Sequence, residues 1–135
     1  MRAPPDKCYE VVADFERYPE WAADIKAVTI QSRDDQGRPE EVAFRAAAFG
    51  RSTNYTLRFD YDKAPEALSW VQTRGDLTSK LDGTYVFDAT DNGDTEVTYH
   101  LTAELRVPIP GFVKRRAEGR IIGTALRELK ARVEA

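Results

Sequence analysis

The chain has 135 residues, of which 41% are hydrophobic and 32% charged, with a formal net charge of -3. This length and composition predict one folded domain over residues 1–135 and exclude a disordered chain. The negative net charge argues against nucleic acid as a partner, because phosphate contacts require an excess of lysine and arginine. No apolar run could span a membrane and no signal-peptide pattern follows Met1, so we expect a cytoplasmic protein.

The first predicted elements are helical. Apolar residues at three- and four-residue spacing follow a double proline and predict a helix over Asp6–Asp14. Pro19 ends or bends this helix, and Arg17–Trp21 forms a turn or a second short helix. The first clear strand is predicted over Ile25–Ser32, and the Asp, Gly and Pro residues of 34–39 form a turn after it.

A meander of strands follows, and one long helix ends the chain. Alternating apolar residues predict strands over 42–48, 53–61, 68–74, 81–87 and 95–107. Asn92 and Gly93 supply the positive φ angles that a tight hairpin turn needs between the last two strands. Beyond Pro110, apolar residues at helical spacing predict an amphipathic helix over Gly111–Glu134, whose apolar stripe must lie on the sheet.

The strand alternation and the helix stripe together define a set of inward-facing residues. Aromatic side chains dominate the set, and some carry a polar tip, which suits a pocket that accepts an apolar ring or chain. The candidate ligand-binding residues of this set are Phe44, Tyr55, Phe59, Trp70, Tyr85, Tyr99, Phe112, Ile122 and Leu126. A packed core is the alternative interpretation, since apolar alternation in a small sheet usually reflects packing.

Polar side chains on the same predicted face extend this candidate site. The alternation that buries Trp70 sends Gln72 and Arg74 to the same side. A buried guanidinium needs a carboxylate, a place at the mouth of the pocket or an anionic ligand group. The alternative is an arginine that turns to solvent at the end of its strand. Tyrosine hydroxyls on this face could donate to a carbonyl or quinone oxygen, or instead to the backbone.

We predict no catalytic residue, no metal and no cofactor. His100 is the only histidine, and the alternation of its strand places it on the outer face. Cys8 is the only cysteine and lies far from His100 in sequence, so the two do not have the usual spacing of metal ligands.

Five segments, taken in their order, carry a family resemblance. They are Ala13–Trp21, Gly75–Leu77, Asp82–Phe87, Thr95–Tyr99 and Val107–Gly111. Together they resemble the START-like (SRPBCC) superfamily, and within it the polyketide cyclase/dehydrase or coenzyme Q-binding START-domain branch. The resemblance implies an α+β helix-grip fold, START/Bet v 1-like, in which a curved antiparallel sheet wraps around a long C-terminal helix after two short N-terminal helices.

The resemblance also bears on partners. Family members carry an apolar strand ahead of the segment that resembles Ala3–Lys7, and here only Met1 and Arg2 precede it, so we expect this first strand to be missing. The sheet edge left exposed could pair with a second copy in a homodimer. Seven basic against three acidic residues in the final helix indicate a solvated helix face, with peripheral contact with anionic lipid headgroups or an acidic partner as the alternative.

Three functional hypotheses result. We favour non-catalytic binding or transport of a hydrophobic small molecule, such as a lipid, isoprenoid quinone or polyketide, in a tunnel between the sheet and the C-terminal helix. The alternative is a polyketide aromatase/cyclase-type enzyme that uses the same cavity, with Arg74 and the tyrosines polarising carbonyls. The third is an interaction protein that binds a partner through its sheet edge or basic helix. Fold alone does not decide among them.

Overall fold

The computed structural model describes residues 1–48 and 50–135, and these residues form six strands, two α-helices and one 3₁₀ helix. In chain order the elements are α1 (Pro5–Ala13), the 3₁₀ helix (Phe15–Glu20), β1 (Ile25–Arg33), β2 (Pro39–Ala48), β3 (Arg51–Asp60), β4 (Ala67–Gly75), β5 (Thr78–Ala89), β6 (Thr95–Leu105) and α2 (Gly111–Val133). The strands form one antiparallel sheet in the order β1-β2-β3-β4-β5-β6. The predicted α+β helix-grip fold is confirmed.

The two N-terminal helices close one end of the sheet. Pro5 begins α1 without the loss of a hydrogen bond, because the first amide of a helix has no partner within the helix. The helix buries Cys8 and Val12, and the 3₁₀ helix buries Phe15 behind them. The hydroxyl of Tyr18 donates to the carbonyl of Val12 at 2.5 Å and so ties the two helices together.

A bulge in β4 changes which side chains face the helix. Thr56 pairs with Arg74, whereas the next residue of β3, Leu57, pairs with Gln72. Thr73 is therefore an extra residue in β4, and the side chains on either side of it change faces. The β1–β2 and β5–β6 pairings also contain register shifts, whereas β2 and β3 pair without one. In the turn between β5 and β6, Gly93 has the positive φ of 85° that the turn predicted at Asn92 and Gly93 requires.

Helix α2 is anchored mainly through its C-terminal half. Only Leu129 and Val133 of this helix are buried. Three polar contacts hold the same half to the N-terminal segments. They join Arg132 Nη2 to Glu20 Oε1 at 2.9 Å, Glu134 Oε2 to the Arg2 amide at 2.9 Å, and Glu128 Oε2 to the Ala23 amide at 3.0 Å. Within the described residues, neither α-helix is long and apolar enough to cross a membrane.

The N-terminal residues lie beside the start of β6. The ammonium group of Met1 donates to the carbonyl of Thr95 at 2.6 Å, and the Thr95 amide donates to the Met1 carbonyl at 3.0 Å. The Thr95 hydroxyl donates to the carbonyl of Ala3 at 2.7 Å. The first three residues therefore extend the pairing of the sheet next to β6.

Candidate functional site

A cavity of about 880 Å³ lies between the sheet and residues 114–128 of α2. Its size falls within the range of roughly 300–1,000 Å³ that is typical of small-molecule sites. Six of the eleven candidate ligand-binding residues line it: Phe44, Tyr55, Phe59, Trp70, Tyr85 and Tyr99. The sheet therefore presents its aromatic face to open space at this end of the molecule and not to a packed helix.

Aromatic side chains form a continuous band across five strands. Neighbouring rings are the cross-strand pairs Phe44–Tyr55, Phe59–Trp70 and Tyr85–Tyr99, with centroids 5.4, 5.9 and 4.5 Å apart. The ring of Trp70 joins the second and third pairs, with its centroid 5.6 Å from that of Tyr85, and the ring of Phe15 lies between Phe44 and Phe59 and joins the first two. Each aromatic pair contributes about 0.5–1.5 kcal/mol beyond the area it buries, so contacts within the band help to hold the rings in place beside the cavity.

Three tyrosine hydroxyls of this wall have no protein partner among the described residues. Tyr18 and Tyr61 use their hydroxyls on the backbone, at 2.5 Å from the Val12 carbonyl and 2.6 Å from the Pro39 carbonyl. Tyr55, Tyr85 and Tyr99 make no such bond, although all three line the cavity. Among the described residues, every fully buried polar side-chain atom has a hydrogen-bond partner, so these three unpartnered hydroxyl oxygens are not enclosed by protein. Their hydroxyls therefore open into the cavity, where a bound molecule or water can accept from them.

Burial keeps these phenols neutral. Desolvation raises the pKa of Tyr55 and of Tyr99 above its ordinary value, and the pKa of Tyr85 is raised well above that value by burial and by neighbouring tyrosines. A neutral phenol donates a hydrogen bond and does not act as a base. The wall therefore offers hydrogen-bond donors to an oxygen atom of an otherwise apolar ligand.

Helix α2 covers the cavity with small and aliphatic side chains. Ala117, Ile121 and Ala125 face the open space at helical spacing. Glu118 also lies at the cavity, and its Oε2 accepts from the Ala103 amide of β6 at 2.8 Å. A carboxylate thus fixes the covering half of α2 to the sheet at a point where few side chains are buried.

The three candidate residues of α2 do not line the cavity, so their predicted positions in the tunnel wall are wrong. Phe112 is 59% exposed at the start of the helix. Ile122 is half-buried outside the lining, and Leu126 packs against the core. The apolar stripe is wider than the strip of helix that faces the cavity, so helical spacing alone did not separate Ile121 and Ala125 from these neighbours.

The predicted tunnel position of Arg74 is also wrong. The bulge at Thr73 turns its side chain to the outer face of the sheet, where it lines a separate shallow groove with Arg45. Gln72 keeps the inward side but lies outside the cavity lining. Its Nε2 donates to the Thr78 carbonyl at 2.9 Å and its Oε1 accepts from the Thr78 hydroxyl, so the amide bridges β4 and β5.

Two aromatic residues of the lining, Tyr18 and Trp21, are not among the candidates that the sequence predicts. Both lie in and after the 3₁₀ helix, with ring centroids 4.9 Å apart, and complete the aromatic wall beside Phe44. Their segment has neither strand nor helix periodicity, so no pattern assigned them a face. His100 lies exposed on β6 opposite Thr84, on the outer face as predicted.

Comparison with known structures identifies the same architecture. A START superfamily protein from Mycobacterium smegmatis is 25% identical, with a TM-score of 0.94 over 99% of this chain and 92% of that chain. A Streptomyces aromatase/cyclase, Zhui, is 18% identical, with a TM-score of 0.85 over 99% and 88%. A STAR-related lipid transfer protein from Xanthomonas axonopodis is 17% identical, with a TM-score of 0.65 over 100% and 82%.

The fold and the covered cavity define a helix-grip protein of the START-like superfamily. The family model for polyketide cyclase / dehydrase and lipid transport matches residues 1–130, and the chain belongs to this family. No curated protein matches the sequence. The resemblance predicted from the five sequence segments is thereby confirmed.

Proposed function

We propose that this protein binds a hydrophobic small molecule in the cavity between the sheet and α2, and carries or senses it without catalysis. The family supports a role in hydrophobic ligand binding or polyketide cyclisation. The observation that carries the proposal is the group of free hydroxyls of Tyr55, Tyr85 and Tyr99 in an apolar cavity. The ligand class is therefore a ring system or chain that carries carbonyl oxygens, such as a quinone or a polyketide.

The test compares two probes of nearly the same shape. Anthraquinone and anthracene differ in two carbonyl oxygens, so the tyrosine hydroxyls distinguish them. Tyr85→Phe and Tyr99→Phe should each weaken anthraquinone binding about threefold to tenfold, the value of one hydrogen bond, and leave anthracene binding unchanged. Fluorescence or absorbance titration measures both dissociation constants. Equal effects on the two probes, or no binding of either, would contradict the proposal.

Tyr61→Phe is the matched control variant. It removes a hydroxyl of the same chemical type that is bonded to the Pro39 carbonyl and lies outside the cavity lining. It should cost about 1 kcal/mol of stability and leave the affinity for both probes unchanged. Native mass spectrometry of gently purified protein, followed by solvent extraction, would in addition identify a ligand that purifies with the chain.

The second candidate function is a polyketide aromatase/cyclase. Neutral phenols that line one largely apolar cavity can stabilise the oxyanion that develops as an enolate attacks a carbonyl. Incubation with a poly-β-ketone thioester should then give a product lighter by one water, and the rate should fall in Tyr85→Phe. An unchanged substrate that is nevertheless bound would support the carrier function.

Finer predictions also follow from the sequence. Coenzyme Q as the particular ligand, a cytoplasmic location and a homodimer through the sheet edge stay predictions. Light scattering coupled to size-exclusion chromatography measures the oligomeric state directly, and a monomer across a wide concentration range would contradict the homodimer.

A further inference from the structure

The exposed apolar side chains of the chain concentrate in one segment. The large hydrophobic residues exposed among the described residues are Val71, Val107, Phe112, Val113 and Ile121. Four of these five lie between positions 106 and 121, where the chain leaves β6 and starts α2. Val107 is 60% exposed and Phe112 59%, so both offer most of their apolar surface to a partner.

Positive charge concentrates in the same segment, which we name the basic tip (residues 106–121). It holds the five cations Arg106, Lys114, Arg115, Arg116 and Arg120 and the single carboxylate of Glu118, a net of +4 in a chain whose total is -3. The carboxylate of Glu118 is occupied by the Ala103 amide. Among the described residues, Arg115 and Arg116 are exposed and form no ion pair, so their charge is free to meet an anionic surface.

The C-terminal half of α2 differs. There Lys130 pairs with Glu134 at 2.8 Å and Arg132 with Glu20 at 2.9 Å, so cations and carboxylates offset one another. The positive end of the helix macrodipole lies at Gly111, inside the basic tip, and adds to its preference for anions. Among the described residues, Arg127 of this half is exposed and forms no ion pair, but no large exposed apolar side chain accompanies it. Unpaired charge and exposed apolar surface therefore coincide only at the N-terminal end of α2.

The basic tip also borders the cavity. Ile109, Lys114 and Ile121 are lining residues, and each belongs to the tip. A surface that meets the tip thus lies next to the site where the ligand is proposed to bind.

We propose that the basic tip docks on an anionic lipid bilayer, with Phe112 and Val107 entering the headgroup region and Arg115 and Arg116 contacting lipid phosphates. Exposed apolar side chains flanked by unpaired cations match the chemistry of an anionic membrane surface, where each cation and each buried apolar group adds to binding. Docking places the cavity against the bilayer, so a hydrophobic ligand can pass between them with little exposure to water. This last consequence rests on the proposed function, whereas docking itself needs no ligand.

Vesicle co-sedimentation tests the docking. Wild-type protein should bind vesicles of mixed phosphatidylcholine and phosphatidylglycerol and ignore pure phosphatidylcholine. The double variant R115E/R116E should bind at least about tenfold more weakly, because each cation near the surface contributes about 1 kcal/mol. Phe112→Ser should weaken binding severalfold, and Phe112→Leu should restore it.

The matched control is R45E/R74E, which makes the same change of charge on the outer face of the sheet, away from the tip. This variant should bind vesicles like the wild type, and circular dichroism verifies that all variants are folded. An equal loss in R45E/R74E would overturn the docking site, as would full binding by R115E/R116E. A wild type that binds no anionic vesicle overturns the membrane as partner and favours an acidic protein.

Anthraquinone titration of R115E/R116E separates this proposal from the previous one. Unchanged affinity for the probe together with lost vesicle binding supports docking as a function of the tip alone. Lost affinity for both would show that the substitutions disturb the cavity and would overturn the assignment of docking to the basic tip.

Discussion

The two ends of the space between sheet and helix are built from similar residues but packed differently. At one end, Val12, Phe15, Leu68, Leu129 and Val133 are almost completely inaccessible and fill the space between α1, the sheet and the last turns of α2. At the other end, aromatic rings face a cavity of about 880 Å³. One end can therefore supply stability while the other keeps room for a ligand.

Helix α2 packs against the core at one end of this space and covers the cavity at the other. Its last turns are buried and held by polar contacts, whereas its first turns are exposed and held by Glu118 on the Ala103 amide. Local stability in proteins follows such differences in burial, and weakly packed elements open first. We therefore expect the first turns of α2 to exchange amide hydrogens faster than the last, which is the behaviour required of a cover.

The largest effect should come from the packed end. Leu129→Ala empties a fully buried site and should cost about 3 kcal/mol, within the usual range of roughly 2–5 kcal/mol for this substitution. Ile121→Ala, on the same helix but 39% exposed beside the cavity, should cost about 0.5 kcal/mol. Urea denaturation measures both. Similar losses for the two variants would mean that the cavity end is packed core.

The next largest effects come from alanine substitutions at two glycines, which should change the free energy of unfolding in opposite directions. A Cβ at Gly83 would lie 2.5 Å from Trp70 Cζ2 and 2.7 Å from the His100 carbonyl oxygen, so Gly83→Ala forces the aromatic wall and β6 to move. It should destabilise by about 1–3 kcal/mol. Gly119→Ala meets no atom and replaces glycine inside α2, so it should stabilise by about 0.5–1 kcal/mol. Thermal melts that show the same sign for both would contradict this contrast.

Sequence periodicity predicted the aromatic wall well because strand alternation is a short-range rule. Phe44, Tyr55, Tyr85 and Tyr99 follow it on regular stretches of strand, and all four line the cavity. Arg74 does not follow this alternation, because the extra residue Thr73 reverses the faces of β4. No local sequence signal predicts the bulge.

Whether the wall is filled or empty could not be read from the sequence. An aromatic residue that lines a cavity has the same periodicity as one in a core, and only the placement of α2 distinguishes them. The stripe of α2 is continuous, but Leu129 is buried while Ile121 faces open space. The sequence predicts the aromatic wall and the helix, but the distance between them depends on how all the elements pack together.

The smallest predicted effect concerns the rim of the cavity and depends on pH. Asp76 Oδ1 accepts from the Thr53 hydroxyl at 2.5 Å, and Asp76 Oδ2 accepts from the backbone amide of Asn54 at 3.0 Å. These hydrogen bonds lower the pKa of Asp76 below its ordinary value. A carboxyl whose pKa is lower in the folded state stabilises the protein above its unfolded pKa, and this contribution is lost as pH falls through the folded pKa.

Asp76→Asn should therefore lower the melting temperature near neutral pH, and the difference from wild type should shrink as the solution is acidified below the ordinary carboxyl pKa of about 4. Thr53→Val removes the donor and keeps the carboxyl, so it should reproduce part of the effect, and the double variant should add little to Asp76→Asn. Because Thr53 lines the cavity and Asp76 does not, a ligand that contacts the rim should respond to Thr53→Val more than to Asp76→Asn. A pH-independent difference between Asp76→Asn and wild type would show that the carboxylate does not hold the rim.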